Sequence, residues 1–279
     1  MPETGPDGIP FTYNVYFARR ARSDDFNGTT VGPQWSWVRQ DPLTEHVGSG
    51  SLQITPEQGD LTGTTNTAHN ILVQPALGDW TIESKLTFST PPHADTQQAG
   101  IIAYQDDDNY LKLGWEYSSG VAQLVETTED SLSGTPATQV LTTIPTAGIL
   151  SNTVWLRMVK VGPRYTSYYS TDGVHFVPIY NVGASLSNVK VGLFAFAGAD
   201  TVNDLSVAFD YFHVQNGGAS AEPVHGARRK VTQAKGGRPR SQDTRPVLGR
   251  QSRIQRPARQ TGHSKTTATL RRAASSRRP

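Results

Sequence analysis

Residues 79–89, DWTIESKLTFS, alternate apolar and polar positions with a period of two. Trp80, Ile82, Leu86 and Phe88 fall on one face, and Thr81, Glu83, Lys85 and Thr87 on the other. A strand with one buried face has this pattern, because successive side chains point to opposite sides of a sheet. Shorter segments of the same kind follow one another from 23 to 215, separated by turn residues. SLQIT at 51–55 turns Leu52 and Ile54 inward, and NILVQ at 70–74 is a short buried run. GIIAYQ at 100–105 and NYLKLGWEY at 109–117 flank the acidic turn Asp106-Asp107-Asp108 and predict a hairpin. VAQLVET at 121–127, TQVLTTI at 138–144, VWLRMVKVG at 154–162 and RYTSYYS at 164–170 continue the series. Thr171-Asp172-Gly173 predicts a second hairpin turn leading into VHFVPIY at 174–180, since Asp-Gly supplies the positive-φ positions of a type I′ turn. VKVGLFAFA at 189–197 and LSVAFDYFHVQ at 205–215 complete the set. About a dozen strands and no amphipathic helix predict an all-β, two-sheet antiparallel sandwich or jelly roll.

The two ends of the chain differ from this middle. Residues 1–22 read as a lead-in: FTYNVYF at 11–17 alternates well enough for one strand, and ARRAR at 18–22 reads as a linker. The strand could be the remnant of an upstream domain or an ordinary first strand of the same sandwich. Residues 216–279 hold no aromatic residue and 16 Lys/Arg against 2 Asp/Glu, whereas residues 1–215 hold 10 against 22. The overall charge of +2 therefore hides a −12 body and a +14 tail. A tail rich in Arg, Gly, Pro and Ser cannot bury enough apolar surface to offset chain entropy, so it reads as disordered. Arginine-rich chain neutralises phosphate, but this one lacks the interleaved aromatics that stack on bases, which argues against nucleic-acid binding. A solvated linker and a product of a shifted frame through GC-rich DNA are the other readings. The expected domains are 1–22, 23–215 and 216–279.

Several stretches resemble one family. DDFNG at 24–28 and WSWVR at 35–39 open it; NILVQPALGDWTIESKLTF at 70–88, QQAGIIAYQDDDNYLKLGWEY at 97–117 and YYSTDGVHF at 168–176 continue it, and FDYFHV at 209–214 closes it. Together they resemble the β-xylosidase C-terminal concanavalin A-like domain, the module behind the catalytic propeller of many family-43 glycoside hydrolases. The resemblance implies a concanavalin A-like jelly roll over 23–215, a bacterial source and an extracellular setting. It also implies polysaccharide or oligosaccharide (xylan or arabinoxylan) as ligand and a catalytic domain as partner. The propeller that carries the enzyme's catalytic acids has no room in 279 residues, so no catalytic residue carries over. The expected role is a non-catalytic carbohydrate-binding or accessory module. A small glycan-active enzyme of the concanavalin A-like class and a structural or protein-interaction domain of a larger exported protein are the alternatives.

Composition removes some chemistry. With no cysteine there is no disulfide, thiolate site or cysteine nucleophile. No run of about 18 apolar residues is present for a membrane helix, and no basic and apolar leader opens the chain. The seven histidines are scattered, without a nucleophile-elbow motif or metal-ligand spacing. Glycoside hydrolysis needs two carboxylates flanking one bond, and the acidic residues near 106–130 read first as polar turn positions. Sugar binding asks less: an aromatic face for the pyranose ring and polar side chains for its hydroxyls. Of the five Trp, Trp80 reads as core and Trp155 has an ambiguous facing. Trp37 with Arg39, and Trp115 with Tyr104, Tyr110, Lys112 and Glu116, are the candidates for an exposed concave face, with Asp106 and Asp108 of the adjoining turn. The resemblance also sets the first strand beside the last, so that Asp24, Asp25 and Asp210 could hold a structural Ca²⁺ through carboxylate oxygens. Translating the coding DNA in its other frames tests the tail. Sandwich-type or downstream-domain sequence in one of them is the result expected of a frame shift, and its absence rejects that reading.

Overall fold

In a computed structural model the described residues are 20–130, 138–145, 152–202 and 204–217. The side chains of 141–145 lie outside the description, as do the expected lead-in strand at 11–17 and the basic tail beyond 217. Sixteen strands follow in chain order. They are β1 (Ser36–Val38), β2 (Glu45–Gly48), β3 (Ser51–Ile54), β4 (Leu61–Thr62), β5 (Thr65–Asn66), β6 (Ile71–Pro75), β7 (Trp80–Phe88) and β8 (Gln98–Asp106). After them come β9 (Asn109–Ser118), β10 (Val121–Asp130), β11 (Thr138–Pro145), β12 (Thr153–Val161), β13 (Arg164–Ser170), β14 (Val177–Gly183), β15 (Lys190–Phe196) and β16 (Val207–Asn216). No helix is present among the described residues, so none is long and apolar enough to cross a membrane.

Two seven-stranded sheets carry the fold. The first runs β1-β6-β15-β8-β9-β10-β11 and the second β14-β13-β12-β7-β16-β3-β2; β4 and β5 form a separate small hairpin. Every pairing between named strands is antiparallel. The all-β sandwich read from the sequence is the architecture observed. Both predicted turns exist, with one difference. After β13 the chain does not reverse in two residues: β14 begins only at Val177. Asp172 explains the wider turn. Its Oδ1 accepts the backbone N–H of Val174 and of His175, each at 2.8 Å, and so ties three residues into a capped loop. Gly173 holds the positive φ of 73° that the Asp-Gly pair led one to expect.

The main core lies between the sheets. The second sheet supplies Trp80, Ile82, Leu86 and Phe88 from β7, Val154, Leu156 and Met158 from β12, and Phe209 and Phe212 from β16. The first sheet answers with Ala99, Ile101 and Ala103 from β8, Leu111, Leu113 and Trp115 from β9, and Val191 and Leu193 from β15. The alternate positions of those same strands are buried too. Ile102, Tyr104, Tyr110, Phe194 and Phe196 point away from the second sheet and form a smaller core with Ile71, Val73, Leu61 and Ala68. Leu61 and Ala68 belong to the segment carrying the β4–β5 hairpin, which crosses the outer face of the first sheet. Backbone bonds fasten that segment: Gly59 N–H donates to Gly198 O at 2.8 Å and Gly198 N–H returns one to Gly59 O at 3.0 Å. The first sheet is therefore covered on both sides over its middle strands.

One polar group interrupts the inter-sheet core. Glu126 of β10 pairs with Leu113, so its side chain points toward the second sheet. It is fully buried, and neither carboxyl oxygen has a hydrogen-bond partner among the described residues. Burial pushes its pKa up to about 7. The Ser167 hydroxyl, facing it from β13, pulls the other way but stands outside hydrogen-bonding geometry. An acid whose pKa is raised on folding binds its proton more tightly in the native state. Its stabilising share is thus complete below the unfolded value near 4.5 and declines as pH rises toward 7. From the size of that interval, roughly 3 kcal/mol goes over it. The Tm of the wild type should fall between pH 4.5 and 7 by more than that of Glu126→Gln, measured by circular dichroism. Parallel pH profiles for the two proteins would refute the assignment.

Candidate functional site

The outer face of the first sheet gathers most of the residues singled out from the sequence, and the pairing registers fix their neighbours. On β9, Trp115 pairs with Ala99 and Leu124 and points into the inter-sheet core. It is 2% exposed and packs edge-on against Phe88 at a centroid distance of 5.3 Å. The expectation that it faces solvent is corrected: it shares the parity of Leu111 and Leu113, which sets it inside. Tyr104 and Tyr110 do lie on the outer face, yet the β4–β5 segment covers them, and they are 5% and 0% exposed. Burial raises both phenols. Tyr110 spends its hydroxyl on the Leu61 carbonyl and, at 3.1 Å, on Glu129. Tyr104 donates to Asp107 at 2.7 Å.

Asp107 ties the hairpin tip to the start of the fold. Arg39, at a positive φ of 51°, grips both its oxygens at 2.6 and 3.0 Å and donates Nε–H to Ala68 O at 2.6 Å. Arg39 is thus a clamp that fastens the covering segment, and sequence reading missed its partner because 68 residues separate the two. Asp106 accepts from Asn109 Nδ2 at 2.7 Å and from the Asp108 backbone at 3.1 Å, while Asp108 accepts from Asn66 of β5 at 2.9 Å. Trp37 of the edge strand β1 is half-buried and leans on the main core. The structure thus brings Arg39, Tyr104 and the acidic tip together, and leaves Trp37 and Trp115 apart from them.

Asp106 is exposed, and Glu116, like Trp37, Arg39 and Asp108, keeps partial access to solvent. Glu116 pairs with Gln98 on one side and Gln123 on the other, so a carboxylate stands between two amides in one row of the outer face. Lys112, four residues back on the same strand, is 4% exposed and donates to Gln98 Oε1 at 2.7 Å, with Asp60 of the covering segment 3.9 Å away. Its ammonium lies 5.0 Å from the centroid of the Phe196 ring. Burial lowers the lysine, which Asp60 and Glu116 oppose. Burial also raises the Glu116 carboxyl, and Lys112 opposes that shift. Gly114, next in the row toward the sheet centre, leaves space for Phe194: a Cβ there would stand 3.0 Å from its ring. The result is a polar strip at the edge of an apolar floor, in which Glu116 is part-exposed and Gln98, Lys112 and Gln123 are buried.

The three carboxylates considered for calcium converge only through backbone. Asp24 N–H donates to Phe212 O at 2.9 Å and Phe212 N–H to Asp24 O at 2.8 Å, which closes the domain on itself as expected. The carboxyl groups are committed elsewhere. Asp24 accepts from Trp35 Nε1 at 2.8 Å, Gln34 Nε2 at 3.0 Å and the Phe26 backbone at 2.9 Å. Asp25 meets His213 at 2.8 Å and Asp210 meets Lys85 at 2.5 Å. Oxygens spent on N–H donors and on cations do not suit a hard cation that needs 6–8 oxygen ligands, and no metal-ligand cluster forms among the described residues. The calcium expectation therefore does not fit these residues. Near them, Arg20, Arg22, Pro33, Gln34, Gln74 and Pro75 line a cleft of about 50 Å³, well below the few hundred Å³ of a small-molecule pocket.

The profile described as beta xylosidase C-terminal concanavalin A-like domain matches residues 23–215. A search of curated proteins returns no match. Among solved structures, the GH43 BlXynB protein from Bacillus licheniformis superposes with a TM-score of 0.58 at 21% identity, covering 76% of this chain and 45% of that one. Xylan β-1,4-xylosidase from Bacillus halodurans C-125 gives 0.54 at 18%, covering 77% and 41%. A functionally unknown protein from Saccharomyces cerevisiae gives 0.50 at 20%, covering 65% of this chain and 96% of that one. The chain spans less than half the length of the two Bacillus proteins, and at these identities the likeness is one of fold.

Two outcomes follow from the placements. Trp115→Ala removes a buried ring from the inter-sheet core and should lower unfolding stability by about 3–5 kcal/mol in urea titration; a loss under 1 kcal/mol would mean the ring is not core. Adding EGTA or millimolar Ca²⁺ should leave Tm unchanged, and a calcium-dependent rise would restore the metal hypothesis.

Proposed function

This chain belongs to the family of β-xylosidase C-terminal concanavalin A-like domains, and from that premise we propose that it is a non-catalytic, glycan-binding accessory module of glycoside hydrolases. The observation that carries the reading is the row Gln98–Glu116–Gln123 with Lys112 behind it. Glu116, part-exposed between the buried amides of Gln98 and Gln123, offers acceptor oxygens to a sugar's hydroxyls from a rigid sheet. The covering segment walls one side of the strip and lends Asp60. Preformed polar groups of this kind avoid part of the ordering cost of binding. One structural relative is a xylan β-1,4-xylosidase, which supports xylan-type chains as the first ligands to try and an extracellular setting. A catalytic domain is the natural covalent or docked partner, since the relatives' chains are more than twice as long as the part covered here.

Affinity electrophoresis in gels containing soluble arabinoxylan or mixed-linkage β-glucan tests the proposal. The wild type should be retarded, and Glu116→Ala should weaken retardation several-fold with Tm unchanged. Wild-type mobility identical with and without polysaccharide would reject glycan binding. Release of reducing sugar from the polysaccharide by the purified protein would reject the non-catalytic assignment.

A further inference from the structure

The outer face of the second sheet carries a group of side chains for which the strip around Glu116 has no use. Trp155 sits on β12 between Val154 and Leu156, both of which point into the core, so its indole faces the opposite way. It pairs with Lys85 of β7 on one side and Ser170 of β13 on the other. The Lys85 ammonium lies 5.6 Å from the Trp155 ring centroid and 2.5 Å from Asp210. In the adjoining row Arg157 donates Nε–H to Glu83 at 2.9 Å, and Tyr211 donates to the other Glu83 oxygen at 2.7 Å. The guanidinium of Arg157 also stacks 3.5 Å from the Phe176 ring. The turn between β13 and β14 covers part of this group, since a Cβ on Gly173 would stand 2.8 Å from Trp155 Nε1 and Phe176 lies on Arg157, while Lys85 and Asp210 keep 29% and 37% of their side-chain surface exposed.

We infer that this face is a second glycan-contact surface, on the side of the sandwich opposite to Glu116, which seats a pyranose ring of a neutral polysaccharide on Trp155. The inference rests on the glycan-binding reading above and adds a separate surface to it. Three features select the occupant. An indole set on a flat polar sheet offers an apolar plane to the axial C–H groups of a sugar. The Lys85–Asp210 pair beside it offers donors and acceptors at one spacing, which suits two adjacent hydroxyls. The two cations nearest Trp155 are each matched by a carboxylate, Lys85 by Asp210 and Arg157 by Glu83, while Arg164 farther out bonds Asn181. The rows around Trp155 therefore hold no unmatched cation with which to bind a polyanion, and their chemistry favours an uncharged, hydroxyl-rich ligand. The side chains are already held by their mutual bonds, so little rotamer entropy is lost on contact.

The test compares wild type, Trp155→Ala and Trp155→Phe as full-length chains by affinity electrophoresis on arabinoxylan and mixed-linkage β-glucan, with Tm recorded for each. The expected result is a tenfold or larger loss of affinity in Trp155→Ala, with most of it kept in Trp155→Phe and Tm within a few degrees of wild type for both. If the wild type is retarded and Trp155→Ala is retarded equally, the second surface is rejected while glycan binding at Glu116 stands. If Trp155→Phe loses as much as Trp155→Ala, ring stacking is rejected as the mode of contact. If the wild type is not retarded in any gel, both surfaces are rejected together.

Discussion

Burial of the first sheet on both faces is the constraint from which the rest of the molecule follows. β8, β9 and β15 contribute one set of side chains to the inter-sheet core and the alternate set to the smaller core beneath the β4–β5 segment. A strand in that position has no free face, so aromatic residues on it serve packing. This is why Tyr104, Tyr110 and Trp115 sit inside, while polar groups of β8 and β9 stay accessible toward the strand ends, at Asp106 and Glu116. On the second sheet the cover is the short turn after β13, which meets Trp155 and Arg157, and the other outward side chains shield one another through ion pairs.

The same constraint marks how far the sequence could be read. In β7 the strict alternation of Trp80, Ile82, Leu86 and Phe88 with Thr81, Glu83, Lys85 and Thr87 gave the facing of every residue, and the burial follows it position by position. In β8 and β9 the run GIIAYQ and the run NYLKLGW are apolar at both parities, so the sequence tells that the strands are buried but not which face each ring joins. Trp155 was ambiguous for another reason: Val154, Leu156 and Met158 do alternate with it, but Val159 and Val161 blur the parity at the end of the strand. What no local pattern could yield is the covering segment. The clamp from Arg39 to Asp107 and the Gly59–Gly198 exchange join residues far apart in sequence, and only the register of the sheets brings them together.

Buried polar groups in the two cores show opposite solutions to one cost. Lys112 is inside the outer core, but its ammonium has the Gln98 amide oxygen at 2.7 Å, the Asp60 carboxylate near by and three aromatic rings within 6 Å. The charge is spread over partners, so desolvation is partly offset. Glu126 has no comparable set among the described residues of the inter-sheet core, and burial is met by holding the proton instead. A charged group with partners and a neutralised group without them can occupy cores of similar dryness. The difference lies in whether a neighbouring segment can reach in, as Asp60 does from the cover over the first sheet.

Charge is handled in the same way at the seam where the domain closes. Asp24 pairs its backbone with Phe212 on β16 and spends its carboxylate on Trp35, Gln34 and the Phe26 backbone. Trp35 in turn packs edge-on against Phe212 at 5.1 Å and beside Phe26 at 6.2 Å. One carboxylate thus fixes the rotamer of an indole that wedges the first strand segment against the last strand. A cation at this seam would have to pull Asp24 away from three N–H donors and give up the wedge. The closure is made by hydrogen bonds and ring packing, which leaves Asp25 and Asp210 free to point outward, one toward His213 and the other toward Lys85 beside Trp155. The residues that close the domain and the residues that furnish its outer face are therefore neighbours in sequence, and their division of labour is set by which side of the last strand each side chain leaves.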